Sequence, residues 1–255
     1  MQASPDESDR PVDTPGPFPQ ASALELCELT QSLVVADEAS AIAALELAAR
    51  AGGADAALFV SVIPDGDHGW YRSMAALNAD WGHRALRRLH SGTCTWLAHV
   101  ARSSEPLLVK LEGDEGDAAF DGDGPDRHAQ RAVWLIPAPS PRESDVLGLL
   151  MLAGRSEPQL EPTHRLMPAY RALALGFADW FQRRGRDELI RSAHLTERDL
   201  ELLRHESMGH GSKRIGAALD TEPKTIDCRF HRLNMRLGVA NRREAVRLCQ
   251  RYGLL

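Results

Sequence analysis

The chain has 255 residues, 43% of them hydrophobic and 26% charged, with a formal net charge of -6 at pH 7. That length holds one large domain or two of ordinary size. The balance is that of a soluble globular protein, and no apolar run reaches the roughly 18 to 20 residues of a membrane helix.

Charge is unevenly spread. From Asp187 to Leu255 there are 13 Lys and Arg against 10 Asp and Glu, a net of +3, which leaves -9 on the rest. A basic tail on an acidic body points to a nucleic-acid partner for the tail alone. The start, Met1 to Gln20, is polar, acidic and proline-rich, without the basic-then-apolar pattern of a signal peptide. A cytoplasmic protein is expected. Cys27, Cys94, Cys228 and Cys249 are scattered with no CxxC pair, consistent with reduced thiols.

Residues 1–20 carry few apolar groups and are expected to be a disordered tail. From Ala21 the pattern turns helical, with Leu24, Leu26, Leu29 and Leu33 at helix-like spacing. A second helix is predicted over Glu38 to Ala51, stopped by Gly52-Gly53. Ala57 to Ile63 reads as a buried strand, Pro64 to Asp67 as a turn and Trp70 to Ala75 as its hairpin partner. Helices are predicted over Asp80 to His90 and Thr95 to Arg102, and a strand over Pro106 to Leu111. Glu112 to Asp126, crowded with Asp, Glu and Gly, reads as a solvated loop. Val133 to Ile136 and Val146 to Leu152 read as strands around a Pro139–Asp145 turn, and a long helix is predicted over Leu160 to Gln182.

Helices, a mostly antiparallel sheet and a closing helix make residues 21–182 an α-β-α sandwich. Residues 183–194 begin Arg183-Arg184-Gly185-Arg186 and read as a hydrophilic linker. Residues 195–255 follow as an all-α unit of four helices, so the fold class is α+β.

Within that last unit, Thr196 is placed to cap a first helix, with Asp199 in the capping-box position. Leu200, Leu202 and Leu203 form its apolar face. Ser212 is expected to cap a second, short helix with Ile215 and Leu219 inward. Pro223 suits the first turn of a third helix, over Pro223 to Leu237. Ile226, Phe230, Leu233 and Leu237 make one face of it; Lys224, Asp227, Cys228, His231 and Arg232 make the other. Gly238 stops it, and Asn241 caps a fourth helix with Ala245, Val246 and Leu248.

These residues resemble the LuxR-type helix-turn-helix domain. The family pattern L-T-x-R-E reads here Leu195-Thr196-Glu197-Arg198-Asp199. Gly209 to Leu219, Thr225-Ile226, Arg236-Leu237-Gly238-Val239 and Arg242 to Ala245 follow in register. Glu222, Arg229 and Gly216 depart from the family's usual Ser, His and Ala. The resemblance implies a sequence-specific transcriptional regulator, a homodimer on double-stranded DNA. The third helix then enters the major groove, with Asp227, Cys228 and His231 facing base edges and Lys224, Thr225, Arg229 and Arg232 holding phosphates.

Residues 21–182 resemble, by element order and length, the autoinducer-binding domain of quorum-sensing regulators. Trp81 fits the first Trp of its ligand motif. Ala85 stands where the Tyr would be, Cys94-Thr95 where Asp-Pro would be and Val109 where the second Trp would be, with the glycine position near Ala132 or Val133. The missing Asp pairs in the family with the amide of an acyl-homoserine lactone, and an unmet buried amide costs roughly 1–3 kcal/mol. The expectation is therefore an orphan or non-standard regulator. Either the domain takes an unidentified small-molecule signal, or it binds nothing and dimerises.

Trp70, Tyr71, Trp81, Cys94, Trp96 and Trp134 are the candidates to line a ligand cavity, or else are core. A protein-interaction module acting on another transcription factor is the alternative outside DNA binding. No GxSxG, Walker A, HExxH or GxGxxG occurs, so no enzyme, catalytic residue or cofactor is expected. His90 and Cys94, four apart, lack further ligands for a metal, and Asp121-x-Asp123 lacks the glutamate of a calcium loop.

Overall fold

The computed structural model describes residues 23–65, 68–91, 94–111, 130–139 and 146–255, with the backbone alone for residues 64, 65 and 68–70. The expected tail 1–20, the acidic loop Glu112–Asp126, most of the Pro139–Asp145 turn, part of the Pro64–Asp67 turn and the side chain of Trp70 lie outside the described residues.

The described residues open with two helices, α1 (Ala23–Ser32) and α2 (Glu38–Ala51). The Asp37 side chain caps α2 by accepting from the Ser40 N–H, and Gly52 closes it. Strands β1 (Ala56–Asp65) and β2 (His68–Ala76) form an antiparallel hairpin, with Phe59 opposite Met74. Helix α3 (Ala79–His90), capped by Asn78, and α4 (Thr95–Arg102) follow. Strands β3 (Leu107–Lys110), β4 (Ala132–Pro139) and β5 (Leu147–Gly154) complete one sheet in the order β2-β1-β5-β4-β3, every pair antiparallel.

Both faces of this sheet are covered, which explains the unbroken apolar runs of β1 and β5. Side chains alternate between the faces with the period of a strand. Ala57, Phe59, Leu150 and Leu152 pack with α1, α2 and the later helix α6 (Met167–Ser192). Leu58, Val60, Val62, Leu149 and Met151 pack with Trp81, Ala85 and Leu89 of α3 and Trp96 and Val100 of α4. The described residues between 23 and 182 thus form the expected α-β-α sandwich.

The long helix read from Leu160 is broken. A 3-10 turn (Pro158–Leu160) and α5 (Glu161–Arg165) come first, and α6 then runs 26 residues from Met167 to Ser192. Pro168 explains the break. It has no N–H to donate to the His164 carbonyl, and its ring would clash there, so the helix restarts with Pro168 in its first turn.

At the other end, residues 183–192 are helical where a hydrophilic linker was expected. Gly185 is buried, and Leu189 and Ile190 pack on the core of the C-terminal helices. Tyr170 donates to the Ala48 carbonyl at 2.8 Å and Thr163 to the Gly52 carbonyl at 2.9 Å. The Ala48 carbonyl already accepts the Gly52 N–H at 3.1 Å, so Tyr170 adds a second donor there, while Thr163 serves a carbonyl just past the end of α2.

Four helices finish the chain: α7 (Glu197–Ser207), α8 (Ser212–Ala218), α9 (Pro223–Leu237) and α10 (Arg242–Arg251). Among the described residues no helix is long and apolar enough to cross a membrane.

Candidate nucleic-acid interface

The four C-terminal helices enclose a core of their own. Leu200, Leu202 and Leu203 of α7, Ile215 of α8, Ile226, Phe230 and Leu233 of α9, and Ala245, Val246 and Cys249 of α10 are buried in it, with Ala193, Leu195 and Leu254 beside them. Burying each of the larger side chains contributes on the order of 1.5–3 kcal/mol, which fixes the inward face of α9. The capping box expected at α7 is present, with the Thr196 hydroxyl and the Asp199 carboxylate each serving the other's backbone N–H. Asn241 caps α10 through the Glu244 N–H at 3.0 Å. Gly238 ends α9 with φ at 68°, in the left-handed region open to glycine.

The turn between α8 and α9 is unusually close. Thr221 donates its N–H to the Gly216 carbonyl, and Asp220 adopts a φ of 47°. A Cβ on Gly216 would lie 2.4 Å from the Thr221 carbonyl oxygen, so glycine rather than alanine lets the two helices meet here. Glu222 occupies the cap position of α9 without making a side-chain cap, as its departure from the small capping residues implies.

With Ile226, Phe230 and Leu233 turned inward, α9 shows its other face to solvent. Lys224, Asp227, Cys228, His231 and Arg232 are exposed on it, while Thr225 and Arg229 are half-buried at its flanks. All seven residues expected to touch DNA therefore lie on one helix and are at least partly accessible.

Two ion-pair clusters brace this helix. Near its C-terminus, Arg236 pairs with Asp199 of α7 at 2.8 Å and also donates to the His194 carbonyl at 2.7 Å. Burial pushes the Asp199 carboxyl up, but the hydrogen bonds from Arg236 and Thr196 outweigh it and hold the carboxyl below its ordinary value. Near its N-terminus, Asp227 pairs with Arg242 of α10. The same carboxylate oxygen accepts from the Ser212 hydroxyl of α8 at 2.5 Å, and Arg242 also donates to that hydroxyl at 2.9 Å. The Arg242 guanidinium lies over the Phe230 ring, 4.2 Å from its centroid.

Ser212 was expected to cap α8. The cap is instead Gly211, without a side-chain bond, and Ser212 is the first helical residue. Its hydroxyl is taken by Asp227 and Arg242. The sequence analysis missed Ser212 and Arg242 as partners of α9. The one available signal was the oddity of an aspartate on an otherwise basic face.

The residues expected to line a ligand cavity divide. Trp81 and Trp96 are buried between the sheet and helices α3 and α4, with Tyr71 and Cys94 packed against the same cluster. The Tyr71 and His90 rings are tilted by 39° with centroids 3.8 Å apart, and Arg88 lies 4.6 Å over Trp96. His90 donates from Nδ1 to the Leu86 carbonyl at 2.6 Å. Trp134 is on the opposite face of the sheet, stacked on His164 beside α5. Period-two alternation along β4 puts it there, out of reach of the other four. Among the described residues no group of three or more His, Cys, Asp or Glu could hold a metal ion.

Residues 193–249 match the family model described as bacterial regulatory proteins, luxR family. No curated protein matches the chain. Among solved structures, Escherichia coli SdiA is similar at 15% identity and a TM-score of 0.58, over 91% of this chain and 98% of that one. SdiA in complex with octanoyl-rac-glycerol is similar at 15% identity and a TM-score of 0.61, over 91% and 95%. CepR2 from Burkholderia cenocepacia, described as an N-acylhomoserine lactone dependent LuxR family factor, shares 19% identity over 64% of this chain and 96% of its own. Its TM-score is 0.48. At such identities the SdiA likeness shows the fold, an α-β-α sandwich followed by a helical unit. The family match, the four helices and the exposed face of α9 together identify the C-terminal part of this chain as a domain of the luxR family of bacterial regulatory proteins.

Proposed function

We propose that the chain is a sequence-specific, DNA-binding transcriptional regulator that works as a homodimer on a two-fold symmetric site. The observation that carries this reading is the build of α9. One face is locked into the core by Ile226, Phe230 and Leu233, and the other presents Lys224, Cys228, His231 and Arg232 to solvent, directly after the tight α8–α9 turn. A helix held so firmly on one side presents its outer side chains in fixed register to the major groove. Cys228 and His231 face base edges in this reading, while Lys224, Thr225, Arg229 and Arg232 hold phosphates.

For the N-terminal sandwich we propose a sensing role with a signal other than an acyl-homoserine lactone bound in the usual way. Cys94 and Thr95 provide no carboxylate where that signal's amide would need one. A ligand without an amide N–H avoids that cost. SdiA is described in complex with octanoyl-rac-glycerol, an acyl ester of that kind. In this reading the acyl portion would enter between the sheet and helices α3 and α4, where Tyr71, Trp81, Cys94 and Trp96 pack.

The test is selection of duplexes from a randomised library by the purified full chain. Enrichment of a palindromic motif, with slower alkylation of the exposed Cys228 when the enriched duplex is bound, is the expected result. Failure to enrich any sequence would overturn the reading and favour a protein-interaction module. Native mass spectrometry of the same preparation, from its own host and from a heterologous one, tests the sensing role by the mass that co-purifies.

A further inference from the structure

The cluster of Ser212, Asp227 and Arg242 has the composition of an anion site already holding an anion. Ser212 begins α8 and Arg242 begins α10, and the two side chains converge on the outer face of α9. The guanidinium is oriented from behind by the Phe230 ring. Both donors are aimed at one carboxylate oxygen of Asp227, the guanidinium through Nη2 and the hydroxyl through Oγ. A guanidinium beside a hydroxyl is also the donor set that recognises a phosphate oxygen. The hydrogen bond from Ser212 and the pairing with Arg242 hold the Asp227 carboxyl below its ordinary value, so the internal anion is charged at neutral pH.

Position adds to chemistry. Asp227 lies one residue before Cys228 on the face that the proposed function turns toward DNA, and its side chain is 56% exposed. A duplex docked on α9 brings backbone phosphates to this neighbourhood. There a fixed negative charge would either be repelled or give up its partners. An exposed ion pair is weak enough to exchange one anion for another.

We propose that Ser212 and Arg242 form a seat for one DNA backbone phosphate, and that Asp227 occupies this seat in the free protein as a built-in competitor. The inference rests on the DNA-binding reading given above. It predicts that Asp227 lowers affinity for every duplex, whatever its sequence, though not equally. The cost falls hardest on non-specific complexes, which have little besides phosphate contacts to hold them. Asp227 thereby widens the gap between specific and non-specific binding without touching a base.

The experiment measures binding of the full chain to an enriched and to an unrelated duplex, by fluorescence anisotropy between about 50 and about 200 mM salt. Each phosphate neutralised adds about 0.9 to the slope of log affinity against log salt. One occupied seat therefore changes affinity by about 3.5-fold across that fourfold range of salt. D227N, which keeps the shape and removes the charge, should bind the unrelated duplex several-fold more tightly than the wild type. R242Q should reduce the salt slope by about 0.9 in the wild-type background. D227N/R242Q should lose the gain that D227N brings.

Three results overturn the seat. One is a tighter D227N whose gain survives R242Q, which would make the effect one of overall charge. Another is an R242Q slope equal to that of the wild type. The third is a D227N that relaxes preference at a single base pair with no change on the unrelated duplex, which would make Asp227 a base reader. Should wild type and variants alike bind neither duplex at about 50 mM salt, the DNA-binding reading itself falls and the seat with it.

Discussion

At Gly216 a single hydrogen stands where the backbone of the next turn passes. An added Cβ would meet the Thr221 carbonyl oxygen at 2.4 Å, and that oxygen belongs to main chain that cannot swing away. Replacing a helical glycine by alanine ordinarily adds about 1 kcal/mol through propensity. Overpacking against fixed backbone costs about 1–3 kcal/mol, and so short an approach belongs at the upper end. Gly216→Ala should therefore lower the melting temperature of the C-terminal helices, a unit for which each kcal/mol is worth about 4–8 °C. An unchanged or higher midpoint would show that the turn relaxes freely.

The cysteines offer a second check at this scale. Burial pushes the Cys249 thiol up to about 12, whereas Cys27 and Cys228 are exposed. Iodoacetamide should label Cys27 and Cys228 in the native protein and leave Cys249 unmodified until denaturant is added, as read by mass spectrometry. Labelling of Cys249 at the rate of Cys228 would mean that the C-terminal core opens readily.

Among the elements, α7 and α9 are joined through Asp199 and Arg236. Because the folded-state value of Asp199 is depressed, its contribution is fully present above the unfolded value, near pH 4, and is lost as pH falls through the folded value. Asp199→Asn should destabilise these helices at neutral pH, and the gap between variant and wild type should narrow as pH falls below about 4. Urea midpoints across that range measure it. A gap independent of pH would assign the loss to the cap geometry rather than to the charge.

Local signals located most elements. The limits of α2 and α4 follow from Asp37, Gly52-Gly53 and the short apolar runs between turns. The start of α9 and its inward face were legible in Pro223, Ile226, Phe230 and Leu233. Other features depend on partners far along the chain. The sheet order places β5 between β1 and β4, a pairing set by closure of the whole sandwich. Trp134 changed sides because alternation along β4 cannot be assigned inside or outside when both faces are buried. Ser212 and Arg242 are 15 residues either side of Asp227 and meet only through the packing of three helices. The restart of the helix at Pro168 was readable from the sequence, since proline in a helical run marks a boundary.

Over the whole molecule, the C-terminal helices rest against the sandwich. Arg72 of β2 pairs with Glu188 of α6 at 2.7 Å and lies 5.9 Å from the centroid of Tyr252, just beyond α10. A Cβ on Gly185 would meet the Tyr252 ring at 3.2 Å and Arg72 at 3.4 Å. A small residue in the middle of α6 thus keeps room for the end of the chain. Gly185→Leu, which favours the helix but fills that space, should displace Tyr252 and weaken the link between the two units. Scanning calorimetry should then resolve the C-terminal helices as a separate transition below that of the sandwich. A thermogram like that of the wild type would show that the contact couples nothing.

Helix α6 begins against the sheet and ends in the core of the C-terminal helices, 26 residues later. At 1.5 Å per residue it is about 39 Å long. Tyr170, Leu173, Phe177, Trp180 and Phe181 hold its first part in the sandwich core. The lever arm beyond Phe181 is therefore about 16 Å, and a swing of about 10° there carries Ser192 through about 3 Å, close to one base-pair step of 3.4 Å along a duplex. In a dimer, two such levers would set the separation of the two α9 helices. An angular change too small to disturb the packing of the sandwich would suffice to bring both into register with an operator, or to move them out of step with it.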